Sequence, residues 1–208
     1  MKIVPYKIDL DAYIAADNIV DYNDESISIL SDTLWNQSKD KLEYIKRAYE
    51  YVRDNISHSA DIDNDIITCT ASEVLKERHG ICFAKAHLLA ALLRCRSIPA
   101  GFCYQLILAD VADGIAPVLV YHGLNGVYIE ECNKWIRLDA RGNKQSINAQ
   151  FSTEKEQLAF PIRCERGEKD GVVVYPDPDV KIVEKLRANK TRTELWNNLP
   201  TELAYNKG

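Results

Sequence analysis

The chain has 208 residues, of which 46% are hydrophobic and 27% charged, and 26 Lys plus Arg against 31 Asp plus Glu give a formal net charge of -5. This composition is typical of a folded globular protein and excludes disorder as the main state. The charge is mildly acidic and no window concentrates Lys and Arg on one helical face, so we expect no nucleic-acid partner.

The sequence shows no pattern typical of membrane insertion or export. Its longest apolar run, around Leu88–Leu93, ends at Arg94 and falls far short of the roughly 20 residues of a membrane span. The first residues, MKIVPYKIDLDAY, lack the continuous apolar stretch of a signal peptide. We therefore expect a cytoplasmic protein without a membrane partner and with reduced cysteines. The cysteines are Cys69, Cys82, Cys95, Cys103, Cys132 and Cys164.

Helices are predicted in the first half of the chain. Between Ser38 and Ile56 the apolar residues recur at steps of three and four, which is one stripe of an amphipathic helix. The segment Thr70-Ala71-Ser72-Glu73 has capping-box spacing and predicts a short helix. We expect Gly80 to end that helix in a left-handed turn, just before Cys82.

A buried central helix is predicted from Cys82 onwards. The run CFAKAHLLAALLRCRSIPAG is apolar on nearly all sides, so this helix should be surrounded by protein until Ile98-Pro99 stops it. Short β-branched and aromatic runs separated by Gly, Asn, Asp and Pro then predict strands of an antiparallel sheet. These runs are FCYQLILA, VLVY, GVYIE and WIRLD.

The last third of the chain is predicted to wrap around this sheet. Ala140–Asp179 is rich in proline and glycine and contains one strand candidate, Val172–Tyr175. The apolar spacing in Val180–Leu199 predicts one or two short helices that dock on the surface. Because helices come first and strands follow, the predicted fold class is α+β.

Cys82 is the cysteine whose predicted position favours reactivity. It follows a Gly-Ile pair and begins the buried helix, where unpaired backbone N–H groups and the positive end of the helix dipole stabilise a thiolate. A cysteine in such a place is, by itself, more often a small packed hydrophobe. Only suitable partners would make it a nucleophile.

His122 and Asp139 are the candidate partners. A cysteine nucleophile needs an imidazole base and a third group that fixes the tautomer of the ring. His122 follows the VLVY strand and Asp139 ends the WIRLD strand, 139 - 122 = 17 positions later. In an antiparallel hairpin with an even-length loop, this odd separation puts both side chains on one face. A bulge between Gly123 and Gly126 would alter that register.

Other groups compete with this triple. His58, His79 and His87 are alternative bases, although His87 lies on a different face of the central helix from Cys82 and is expected to be a core or groove histidine. A different class of site would be a metal centre, but the chain has no C-x-x-C pair to support it. Its ligands would be His79, Cys82, Cys95 and Cys103.

These residues carry a resemblance to a known family. The segment ASEVLKERHGICFAKAHLLAALLRCRSIPAGF resembles the nucleophile segment of transglutaminase-like domains. His122 in VYHGL and Asp139 in KWIRLDARGN match the two other catalytic segments of that family, in the same order along the chain. The resemblance covers about residues 40–145 and implies a papain-like core, in which a buried helix starting at the nucleophile Cys82 packs on an antiparallel sheet.

The resemblance also implies a mechanism. Cys82 would attack a peptide or carboxamide carbonyl, His122 would take and return the proton, and Asp139 would orient the imidazole. The backbone N–H of Cys82 would stabilise the oxyanion, while the Tyr or Trp donor of other members is represented near this region only by His58.

We accordingly predict a cysteine hydrolase or acyl transferase that forms a thioester with a peptide or protein substrate, with hydrolysis favoured and no cofactor. The alternatives are a catalytically inactive binding module that recognises a peptide or protein partner, and a structural zinc protein. The sequence predicts a single transglutaminase-like domain over 1–208. Its core is expected at about 38–145, a helical lead-in at 1–37, and a wrapping loop, strand and docking helices at 146–208.

Overall fold

Of the helices that precede the main sheet in sequence, the central one packs against the sheet and the others pack against that helix, which gives the predicted α+β fold. The computed structural model describes residues 2–109 and 117–206. Its elements are, in chain order, β1 (Val4–Pro5), α1 (Glu25–Asn36), α2 (Lys41–Asn55), β2 (Ser57–His58), α3 (Ala71–Glu77), β3 (His79–Gly80), α4 (Cys82–Arg94), β4 (Ala100–Ala109), β5 (Val118–Ile129), β6 (Lys134–Leu138), β7 (Val173–Val174), α5 (Val180–Ala188) and α6 (Arg192–Trp196).

Helix α4 is the centre of the core. Every side chain from Phe83 to Arg94 is buried, because α1, α2 and α3 cover one side of the helix and β4 and β5 the other. The helix ends at Arg94, so the prediction that it continues to Ile98-Pro99 is wrong. Ser97 takes a left-handed conformation with φ 53°, and the Ile98 N–H donates to the Leu93 carbonyl at 3.1 Å. This Schellman-type closure stops the helix before the proline is reached.

Helix α3 begins as predicted and ends differently. Its capping box is confirmed, since Thr70 Oγ1 accepts from the Glu73 N–H at 3.2 Å and the Glu73 carboxylate accepts from the Thr70 N–H at 3.0 Å. The left-handed residue at its end is Arg78, with φ 62°, and not Gly80. Gly80 lies in β3, where an added Cβ would come within 2.9 Å of Thr68 Oγ1. Its role is therefore close packing next to α4.

The main sheet is antiparallel in the order β4-β5-β6, and β5 is longer than predicted. The separate strands expected at VLVY and GVYIE form one continuous strand from Val118 to Ile129. Gly123 and Gly126 suggest a break in the sequence, but they serve close packing: an added Cβ would lie 2.4 Å from Phe83 and 2.5 Å from Val174, respectively. The bulge considered between them is absent, because the register with β4 is continuous across both.

The C-terminal third packs back onto this core. Strand β7 lies within the predicted Val172–Tyr175 segment and pairs with β1 in parallel. Helices α5 and α6 fall in the tail where short helices were predicted. After α6 the chain reaches β5, where the Tyr121 N–H donates to the Pro200 carbonyl at 2.8 Å. In the part of the chain that the structure describes, no helix is long and apolar enough to cross a membrane.

Gly126→Ala tests the packing role of this glycine. The new methyl group would overlap the Val174 side chain, so we expect the free energy of unfolding to fall by about 1–3 kcal/mol in urea titration. The matched control is the double variant with Val174→Ala, which removes the overlapping atoms. The double variant should lose less stability than the sum of the two single variants. Additive losses would argue against the packing explanation.

Candidate active site

Cys82 lies at the first position of α4, beside three backbone segments. As the first helical residue, it has a backbone N–H without an acceptor inside the helix. Its Sγ accepts a hydrogen bond from the Gly123 N–H at 3.4 Å. The parallel pairing of β2 with β3 sets His58 opposite Gly80, two residues before Cys82. The sulfur is therefore held at the point where the helix start meets strand β5.

His122 and Asp139 meet on one face of the sheet, as the odd separation predicted. Strand β5 pairs with β6 at Asn125↔Leu138, and the connection Glu130–Asn133 has an even length of four residues. Continuing this register sets Asp139 opposite Leu124, two residues from His122. The His122 Nε2 lies 2.9 Å from Asp139 Oδ2.

The Asp139 carboxylate is buried and saturated with donors. Its Oδ2 accepts from His122 and from the Ala159 N–H at 3.0 Å, and its Oδ1 accepts from the Arg141 N–H at 3.1 Å. Asp139 is 1% exposed and His122 is 3% exposed, so these bonds form away from water. They hold the ring with Nε2 towards Asp139, which leaves Nδ1 free to face Cys82, whose sulfur accepts from the N–H of the next residue, Gly123.

The electrostatics favour a charged His122–Asp139 pair. Burial lowers the pKa of His122, but the charges of Asp139 and Cys82 outweigh burial and raise that pKa above its ordinary value. Burial raises the pKa of Asp139, and the charge and hydrogen bond of His122 outweigh it and lower that pKa. Each group thus favours the ionised form of the other.

Phe160 is a site residue that sequence reasoning missed. Its ring lies edge-on to the His122 ring, with centroids 4.8 Å apart and an interplanar angle of 85°. It belongs to a segment that was predicted only as wrapping loop, and the sequence offers no signal that links it to His122. An apolar ring in this place limits the access of water to the imidazole.

A cleft of about 560 Å³ opens over Cys82 and His122. One part of its wall is charged: Asp61 accepts from Arg141 Nη2 at 3.1 Å and from Lys144 Nζ at 2.8 Å. Much of the remaining wall is apolar, with the side chains of Ile81, Phe83, Ile107, Leu108, Val120, Ile147, Phe160, Pro161, Trp196 and Leu199. The site can therefore accept a substrate from solvent while the His122–Asp139 pair stays covered.

The other histidines have different surroundings. His87 is a core residue, as expected: its Nδ1 lies 2.7 Å from the Cys69 carbonyl, and burial lowers its pKa to about 4. His79 is also buried, with Nδ1 at 3.0 Å from Ser59 Oγ. His58 lines the cleft. Of the four histidines, His122 is the one that binds Asp139, and the next residue, Gly123, donates its N–H to Cys82 Sγ.

The proposed zinc ligands do not converge. Cys82 and Cys95 lie at opposite ends of α4, about 20 Å apart at 1.5 Å per residue, so they cannot share one ion. Within residues 2–109 and 117–206, no group of three or more His, Cys, Asp or Glu side chains could hold a metal ion. The zinc hypothesis was therefore wrong for this set of residues.

The sequence pattern of the transglutaminase-like superfamily matches residues 29–140, more than half of the chain. The chain belongs to this superfamily. A comparison with curated proteins gave no match.

Several solved structures are similar to part of this chain. A proposed cysteine protease from Cytophaga hutchinsonii aligns with a TM-score of 0.50 and 20% identity over 65% of this chain and 43% of its own. The periplasmic domain of TgpA from Pseudomonas aeruginosa aligns with a TM-score of 0.47 and 14% identity, over 64% of this chain and 48% of its own. Red sea bream transglutaminase aligns with a TM-score of 0.40 and 13% identity, over 67% of this chain and 30% of its own. The chain thus spans less than half the length of each.

Labelling of the native protein with iodoacetamide tests the Cys82–His122 interaction. We expect Cys82 to react at pH 6, because a neighbouring imidazolium stabilises the thiolate, and His122→Ala to remove this reactivity. Peptide mass spectrometry would read each cysteine separately. Exposed Cys132 and Cys164 serve as internal controls, and their labelling should be the same in both proteins. Equal labelling of Cys82 in both proteins would contradict a Cys–His pair.

Proposed function

We propose that this protein is a cysteine-dependent amide hydrolase or acyl transferase that acts on a peptide or protein substrate. The observation that carries the proposal is the meeting of Cys82, at the start of a buried helix, with the buried His122–Asp139 pair. A thiol, an imidazole and an orienting carboxylate in this order are the parts of a nucleophilic acyl-transfer site.

The first step is attack by the Cys82 thiolate on the substrate carbonyl. The start of α4 and the Gly123 N–H stabilise the thiolate, and His122 holds the proton. His122 then protonates the departing amine, so that the C–N bond breaks as the C–S thioester forms. Water or a second amine attacks the thioester, His122 removes its proton, and the Cys82 thiolate leaves. Asp139 keeps the ring oriented through both steps.

The tetrahedral intermediate of each step carries an oxyanion. The N–H of Cys82 supplies one donor at the helix start. We assign the second to His58, whose Nδ1 accepts from the Ala60 N–H at 3.2 Å, so that the neutral ring carries its proton on Nε2. Burial first, and then the charges of Arg141 and Lys85, hold the pKa of His58 well below its usual range and keep the ring neutral. Among the described residues, the hydrogen bond of the His58 ring is the one at Nδ1, so the Nε2 proton remains available to an oxyanion.

Turnover by Cys82→Ala tests the nucleophile. Fluorescein-labelled casein reports peptide hydrolysis, and incorporation of dansylcadaverine into dimethylcasein reports transfer to an amine. We expect Cys82→Ala to lose at least about 1,000-fold of whichever activity the native chain shows, because the thioester cannot form. The matched control, Cys132→Ala, removes an exposed cysteine and should retain full activity. Turnover that survives in Cys82→Ala would overturn the proposal.

His58 variants test the second oxyanion donor. With p-nitrophenyl acetate as probe, we expect His58→Phe to slow acylation of Cys82 by about 100- to 1,000-fold, because an apolar ring donates no hydrogen bond. His58→Gln keeps an N–H donor and should retain more of the rate.

Alkylation by iodoacetamide supplies the control for this experiment. Alkylation passes through no oxyanion, so its rate at Cys82 should be the same in the native chain and in both His58 variants. A parallel loss of acylation and alkylation would show that His58 acts on the thiol and is not an oxyanion donor. If the native chain binds peptides but neither acylates nor turns over, the inactive binding module becomes the correct description.

A further inference from the structure

A buried lysine lies directly beneath the candidate active site. Lys85 follows Cys82 by three residues on α4, so the two side chains lie on neighbouring turns of the same face. Its side chain is among the largest fully buried ones of the described residues, at 1% exposure. Lysine is almost never buried to this extent without a partner charge.

The Lys85 ammonium lies between two segments that carry site residues. Its Nζ donates to the carbonyl of Ile56, the residue that leads into β2 and His58. On its other side lies Gly142, three residues after Asp139, where an added Cβ would stand 3.5 Å from Nζ. Gly142 has a φ of 100°, which favours glycine. The amine therefore lies between the backbone that carries His58 and the backbone that follows Asp139.

Charged groups surround this amine from several elements. Three carboxylates favour its charged form: Asp54 at the end of α2, Asp61 after β2 and Asp139 after β6. Arg141 favours the neutral amine. The charge of Lys85 in turn lowers the pKa of His58. Within residues 2–109 and 117–206, none of these carboxylates forms an ion pair with Nζ. Burial of the amine, followed by Arg141, lowers the pKa of Lys85 to about 7.

This arrangement is unfavourable for stability. A buried ammonium without an ion-pair partner loses its hydration, and one carbonyl acceptor offsets only part of that loss. An apolar side chain of similar length would fill the same space without this loss. Lys85 therefore needs an explanation other than the stability of the fold.

We propose that Lys85 is a positioning residue whose ammonium holds the segments of His58 and Asp139 in place around Cys82. The inference rests on the proposed function, because it assigns Lys85 to the geometry of that same site. Lys85 is not among the residues that line the cleft. It acts through the two segments between which it lies.

The decisive variant is Lys85→Met, measured for both stability and activity. We expect its Tm to rise by several degrees while kcat for p-nitrophenyl acetate falls at least tenfold and KM changes little. A residue with a merely structural role would lower Tm and kcat together.

The pH dependence supplies a second signature. Between about pH 7 and the unfolded-state pKa of about 10.4, the unfolded chain holds a proton on Lys85 that the folded chain has released. The free energy of unfolding that is lost through Lys85 is therefore largest below pH 7 and becomes smaller as the pH rises. The Tm gain of Lys85→Met should accordingly be larger at pH 6 than at pH 9. In the native chain, kcat/KM should fall above about pH 7 as the ammonium loses its proton. Lys85→Arg, which keeps a cation, should move that alkaline limb to higher pH.

The control is Lys76→Met, which removes an exposed lysine from α3 and should leave Tm, kcat and the pH profile unchanged. A lower Tm for Lys85→Met, or an unchanged kcat, overturns the proposal. If the native chain neither hydrolyses casein, incorporates dansylcadaverine nor turns over the ester, the proposed function fails by itself. The rate of Cys82 labelling by iodoacetamide at pH 6 then tests Lys85: it should fall severalfold in Lys85→Met, and an unchanged rate overturns the inference.

Discussion

The burial of helix α4 is the constraint on which the rest of the structure depends. Helices pack on one side of α4 and the sheet packs on the other, so the direction and the position of α4 in the core are fixed. The position of its first residue, Cys82, is therefore fixed as well. Strand β6 ends at Leu138, while β5 extends beyond the end of their pairing. The helix start reaches β5 at Gly123, and Asp139 reaches His122 from the end of β6.

Charge is distributed unevenly around this site. The buried carboxylate of Asp139 is saturated by three donors and pairs with His122, whereas Lys85 and His58 lie nearby without an ion pair among the described residues. The imidazolium of His122 and the ammonium of Lys85 therefore bring positive charge near the position where a thiolate and an oxyanion would form, and the neutral ring of His58 adds an N–H donor. The burial of these groups weakens the fold and strengthens their interaction with a developing negative charge.

The sequence predicted the parts of the site whose position follows from local rules. The helix stripe, the capping box and the odd separation of His122 and Asp139 depend on helical or strand periodicity, and the structure has all three. Two of the errors concern glycine: Gly80 and Gly123 were interpreted through backbone conformation, but close packing against distant residues decides both positions. Phe160 could not be predicted at all, because a long irregular segment brings it to the ring of His122. The catalytic roles and the division into core, lead-in and wrapping segments stay predictions.

The hydrogen bond from the Tyr121 amide to the Pro200 carbonyl links the site to the end of the described chain. Tyr121 precedes His122 on β5, so the segment after α6 and the strand of the candidate base share one backbone bond. Short helices at the edge of a core open more readily than a central sheet. The exchange rate of this single amide proton would therefore report each opening of the tail, one residue from the imidazole and without any substrate.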